Sequence, residues 1–243
     1  MRPHNPLIWT MLGALAMAGC TAKQPAVEQF GAMRDVMRDG HTQARIRLAD
    51  AVVRPHALGV GALEGLAGEV TIVDGDVWVA RVTDGGVRVT GPLPRGDESA
   101  SLLTLAHVPR WRTVAIQSPA AGEELAELIV RAAQDIGIDT ARPFPFMIEG
   151  APADLAIHVI NGYCPMATDP SAVGAVPWTW SATAPVDVVI VGFHAEGAAG
   201  VMTHHGTTIH AHAVLSIDGR TVAGHVDRLA VAPGMFLHLP AVD

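Results

Sequence analysis

Two alternating runs, residues 209–217 and 220–229, are separated by Asp218-Gly219. An Asp-Gly pair in this setting is the strongest short-range signal for a β-hairpin, because its turn asks for positive φ at both central residues. A two-residue loop leaves no freedom of register: Ile217 must face Arg220, and His212 must face His225. His210 stands two residues before His212, so alternation puts both on one side of the strand. Directly opposed residues have Cβ atoms about 4.5–5.5 Å apart. Three imidazoles, those of His210, His212 and His225, are therefore expected to converge on one patch.

A three-histidine patch with open positions is the ligand set expected of a catalytic zinc, or of another divalent transition metal. Carried one step further, the register sets Asp227 opposite His210, where its carboxylate would orient a ligand from behind. The chain has 12 histidines, and five of them fall between residues 204 and 225. His204 and His205 precede the hairpin in a loop, where solvated imidazoles are the default. They are also the candidates to line the mouth of the site and meet substrate. His158 and His194 fall in or near strand candidates and read as structural.

Charge and length narrow the classes further. Sixteen basic residues against 24 acidic ones give a net charge of −8, a poor electrostatic footprint for nucleic acid. Apolar residues at 49% and charged residues at 16% exclude a disordered chain. At 243 residues there is room for one large domain or two small ones.

Arg2, a mostly apolar run from Leu7 to Ala18, and the small residues before Cys20 have the layout of a secretory signal over residues 1–20. Met17-Ala18-Gly19-Cys20 resembles a bacterial lipobox, which makes Cys20 the expected lipidation site. The expected protein is exported, a periplasmic lipoprotein that meets the membrane only through its lipid anchor. Cys164 is then the only other cysteine and has no partner within the chain.

Phe30, Met33 and Met37 recur at helical spacing, and Gly40 closes a predicted helix of about three turns. Glu69 to Val73, Asp74-Gly75 and Asp76 to Val82 read as a second hairpin, followed by strands at 87–89, 102–108 and 112–117. Ala120 to Ile136 reads as a helix, with Leu125, Leu128, Ile129, Ala132 and Ile136 on its buried face. Strands follow at 155–160 and 186–192, then the histidine hairpin and a closing strand after Pro233-Gly234. The stretch 165–183, with three prolines and two tryptophans, reads as a loop or arm. The expected fold is α+β, two mixed β-sheet subdomains with a few packed helices, over residues 27–145 and 146–243.

The segment from Gly59 to Glu69, with its Gly59-x-Gly61 start and Gly68-Glu69 end, followed by Asp74-Gly75, resembles α-acetolactate decarboxylase. So does His210-x-His212 with Gly224-His225-Val226. The resemblance covers Phe30 to the end of the chain. It implies a two-domain α+β fold, one zinc held by His210, His212 and His225, and loss of CO2 from 2-acetolactate (2-hydroxy-2-methyl-3-oxobutanoate) to give acetoin. It also implies that Glu69 is the acid brought to the metal by the amino-terminal part. The chain departs from the family at Ala62, where the family has Thr, and at Met147, where the family has an active-site Arg. The family's carboxy-terminal tail with a second Glu has no counterpart before Asp243. The histidine hairpin alone also resembles that of the small domain of plant and prokaryotic AT-hook-type proteins, but the 59–75 segment favours the decarboxylase.

The implied partner is a small 2-hydroxy-3-oxo acid, and a homodimer is among the assemblies open to the chain. Burial at the start of a strand would raise the pKa of Glu69 and suit it to proton transfer. The alternative function is a catalytically silent zinc-binding lipoprotein that keeps the fold as a ligand-binding or interaction module.

Overall fold

In a computed structural model, residues 23–84, 86–93, 97–163 and 176–242 are described. Cys20, Cys164 and the expected signal segment lie outside these residues. The first sheet holds β1 (Val27–Phe30), β2 (Ile46–Arg47), β3 (Ala57–Leu63), β4 (Glu69–Val73), β5 (Asp76–Thr83), β6 (Gly86–Leu93) and β7 (Ser99–His107), with α1 (Met33–Met37) and α2 (Leu48–Ala51) between strands. Its order is β1-β7-β3-β4-β5-β6, with β2 on β7. The second holds β8 (Trp111–Ala115), β9 (Ala120–Ala121), β10 (Phe144–Gly150), β11 (Asp154–Val159), β12 (Trp178–Ser181), β13 (Val188–His194), β14 (Ile209–Ile217), β15 (Arg220–Val231) and β16 (Phe236–Pro240), with α3 (Gly122–Asp135). Its order is β12-β11-β15-β14-β13-β10-β16-β8, with β9 on β15.

The α+β class holds, but the sheets are not mixed: every pairing between these strands is antiparallel. The change of sheet falls between His107 and Trp111, so β8, β9 and α3 join the second sheet rather than the amino-terminal part. Both Asp-Gly turns form with two-residue loops. Val73 pairs with Asp76 and Ile217 with Arg220, and Asp74, Gly75, Asp218 and Gly219 all have positive φ, as a type I′ turn requires.

The two sheets stack face to face, and side-chain alternation sorts each strand between two layers. Val70 and Ile72 of β4 face outward to a cluster with Leu48 and Ala51 of α2. Leu58 and Val60 of β3 face inward and meet Val191 and Phe193 of β13. On the far side of the second sheet, Ala211, Ala213 and Leu215 of β14 pack with Leu125, Ile129 and Ala133 of α3. Leu128, Ala132 and Ile136 are only partly buried there. Glu123 and Glu124 in the first turn of α3 complement its dipole.

Two expectations fail locally. The three-turn helix predicted around Phe30 to Met37 is a strand through Phe30, paired with β7, then a turn at Gly31 and a five-residue helix. Local spacing cannot register a strand partner more than 70 residues away. Within the stretch read as a loop, Trp178–Ser181 forms β12 on the edge of the second sheet.

Candidate metal centre

One register line crosses the second sheet. His158 pairs with His225, His225 with His212, His212 with Val191, and Val191 with Met147. Paired residues share a face, so this row looks into the layer between the sheets, and His210 joins it from two residues along β14. His210, His212 and His225 are all buried, and one ring nitrogen from each lies within 4.8 Å of the others.

The donor set fits a metal ion. His212 is oriented from behind by Thr71 Oγ1, 3.1 Å from Nδ1, and its Nε2 is buried without a hydrogen-bond partner among the described residues. His210 is in the same position: its ring is bonded to the Met202 backbone, and Nδ1 has no partner among the described residues. Burial, and then the neighbouring imidazoles, push the pKa of His210 down to about 3 and those of His212 and His225 well below the usual histidine value. All three are therefore neutral, the form that binds metal.

The first sheet supplies the acid. Glu69 and Thr71 sit two apart on β4, so both face the histidines. Glu69 Oε2 lies 3.7 Å from His212 Nε2 and Oε1 lies 3.9 Å from His158 Nε2, while the Ile160 N–H donates to Oε1 at 3.4 Å. Burial is the main reason its pKa rises to about 7, against the opposing pull of His158 and the Ile160 N–H. Ala62 lies directly across from Glu69 on β3, so a methyl group stands beside the carboxylate where the family resemblance has a Thr.

The expected role of Asp227 changes. Pairing between β14 and β15 ends at His212 and His225. On its other edge β15 bulges, with Val226 on Ile157 but Arg228 on Ala156, so Asp227 is the extra residue. It does not stand opposite His210. Its carboxylate instead meets His158 Nδ1 at 2.7 Å. His158, read from sequence as structural, is thus a buried member of the site. Burial works to lower its pKa, but the Asp227 hydrogen bond and the charges of Glu69 and Asp227 outweigh it, and the net shift is upward. The signal for His158 was its register with His225, which needs the long-range pairing of β11 to be known.

His204 closes the edge of the site, its ring centroid 5.2 Å from that of His225 and 6.3 Å from that of His210. His205 is exposed. His194 lies apart from the cluster, stacked on Phe144 at 5.1 Å between ring centroids. Where β14 and β15 diverge, a cavity of about 540 Å³ opens beside His158, His204, His225 and Asp227. Met147 shares the face and the row of His212 but lines a different cavity, of about 410 Å³, with Trp111 and Glu149.

No family model matches the sequence, and no curated protein matches it closely enough to count as a relative. Solved structures do match. α-Acetolactate decarboxylase from Bacillus subtilis strain 168 aligns with a TM-score of 0.67 over 88% of this chain and 85% of that one, at 16% identity. A Staphylococcus aureus protein of unknown function, described as similar to α-acetolactate decarboxylase, aligns with a TM-score of 0.65 over 89% and 86%, at 17% identity. The acetolactate decarboxylase of Bacillus subtilis subspecies spizizenii gives 0.67 over 88% and 85%, at 17% identity. With two antiparallel sheets facing each other across a buried histidine trio, the chain has the fold of the α-acetolactate decarboxylases.

Proposed function

We propose that the protein is a metal-dependent carboxy-lyase acting on 2-acetolactate or a related 2-hydroxy-3-oxo acid. The observation that carries this reading is the buried Glu69 carboxylate, set beside His212 in a fold shared with acetolactate decarboxylases. Zinc held by His210, His212 and His225 would polarise the adjacent hydroxyl and carbonyl oxygens of such a substrate. The bond to the carboxylate carbon breaks, CO2 leaves, and the electron pair is taken up as an enediolate. Glu69, with its pKa near 7, delivers a proton to carbon and regains one from solvent. Thr71 fixes the His212 ring, and the layered sheets exclude water around the acid.

The test is acetoin formation from racemic 2-acetolactate, with metal content measured on the same sample. Glu69→Gln should retain the metal and lose about 10²–10⁴-fold in turnover, the usual worth of a positioned proton donor. Parent protein that holds its metal and releases CO2 from neither 2-acetolactate nor a related 2-hydroxy-3-oxo acid would sink the assignment. Ala62 and Met147, apolar where the resemblance has Thr and Arg, favour a second reading in that event: a silent metal-binding module. Export and lipidation are proposed from residues 1–20 alone. Cys20→Ser should release the protein from the membrane fraction, and unchanged association would refute the anchor.

A further inference from the structure

A second cavity, of about 270 Å³, shares His204 and His205 with the larger one. Its other wall is α1, where Arg34 and Arg38 stand four residues apart and therefore on one side. The helix is fixed there by its backbone: the N–H groups of Met33 and Arg34 donate to the carbonyls of Val201 at 3.0 Å and Gly200 at 2.8 Å. Gly200 lines the gap at φ +77°, a conformation that favours glycine, and a Cβ there would sit in ordinary contact with His205 Nε2 at 3.5 Å and Arg34 Cβ at 3.6 Å.

No carboxylate is among the described residues lining this cavity. Each arginine pairs with a sequence neighbour, Asp35 at 3.9 Å from Arg34 Nε and Asp39 at 3.1 Å from Arg38 Nε. Exposed pairs of this kind are worth about 0–1 kcal/mol. A ligand carboxylate that meets a guanidinium with both oxygens competes well against them.

We propose that this cavity is a distal anion subsite, and that the ligand is a dianionic acid with its chelating end at the three histidines and a second carboxylate at Arg34 and Arg38. The proposal rests on the metal-dependent reading of the trio and narrows it to a substrate that carries a second carboxylate. Where the family resemblance puts a cation this chain has Met147, which lines a separate cavity without an arginine or lysine among its described lining residues. In this chain the two guanidiniums stand at the His204 edge instead.

The test is calorimetric titration of zinc-loaded protein with two probes that share a 2-oxo acid head. 2-Oxoglutarate carries a distal carboxylate, and 2-oxopentanoate, of equal chain length, does not. The expected result is 2-oxoglutarate bound about tenfold tighter or more, in line with a charge-assisted contact. Arg34→Gln with Arg38→Gln should erase that preference while zinc content, melting temperature and 2-oxopentanoate affinity stay at the parent values. Equal affinity for both acids in the parent, or a preference that survives the double substitution, overturns the subsite and leaves the metal reading intact. If neither acid binds while zinc is in place, the subsite and the view of the trio as a substrate-binding centre fail together.

Discussion

The row that crosses the second sheet is one line of residues with two characters. From His158 through His225 to His212 it is polar and buried, and from Val191 to Met147 it is apolar. Both halves are antiparallel pairings, with a bulge beside the polar one. What differs is the strand laid over each. β4 presents Glu69 and Thr71 to the imidazoles, whereas β3 presents Leu58 and Val60 to Val191 and Phe193. Buried imidazoles and a buried carboxylate are costly unless partnered, and the polar half is tolerated because the opposing strand alternates polar residues at the matching positions. The site therefore belongs to neither sheet alone.

The sharpest way to break this contrast is His212→Ala. It removes one of three ligands, so bound metal should fall from stoichiometric to none after dialysis against chelator, while the apolar half keeps the fold. Metal analysis and thermal unfolding on one sample decide it. A variant that keeps its metal but melts early would show the polar half to be scaffold. A smaller effect is expected at Thr71→Val, which deletes the hydroxyl behind His212 without changing side-chain shape. Metal affinity should drop about 10–100-fold, read by competition with a chelator of known affinity. Unchanged affinity would mean that β4 contributes only cover.

The smallest effect concerns pH in the metal-free protein. The folded-state pKa of Glu69, near 7, lies above the ordinary value of 4.5. The folded protein therefore binds that proton more tightly than the unfolded chain, and this contribution to stability is lost as pH rises from about 4.5 through 7. Glu69→Gln cannot titrate. Its stability relative to the parent should be level near pH 4.5, climb through pH 7 and then stay flat. Denaturant midpoints across that range test it, and a difference that does not vary with pH would mean the carboxylate is not held in a dry site.

How much of this could be read in the sequence follows from the range of each interaction. The pairing of His212 with His225 is set by a two-residue turn, so local sequence carried it, and alternation added His210. Asp227 lay only two residues beyond, yet its role was hidden, because the bulge that redirects it is made against β11, far away in the chain. His158 was illegible for the same reason. Glu69 could be placed at a strand start, but its burial depends on the docking of the second sheet. Phe30 shows the converse: its helical spacing with Met33 and Met37 is real, and its pairing with Leu103 on β7 overrides it.

The hydrogen bond between Thr71 and His212 joins residues 141 positions apart. A contact of such sequence separation forms late, once the entropy of closing a long loop has been met. The metal centre is thus complete only after both sheets have folded and docked, and a chain caught between those events offers the hairpin's imidazoles without Glu69 behind them. A metal held by the trio would make its own capture and the final assembly of the fold one equilibrium. A metal that binds only the docked state stabilises it by about 2.7 kcal/mol at a hundredfold excess over its dissociation constant, so the chain's resistance to unfolding should track the metal supply of the compartment in which it works.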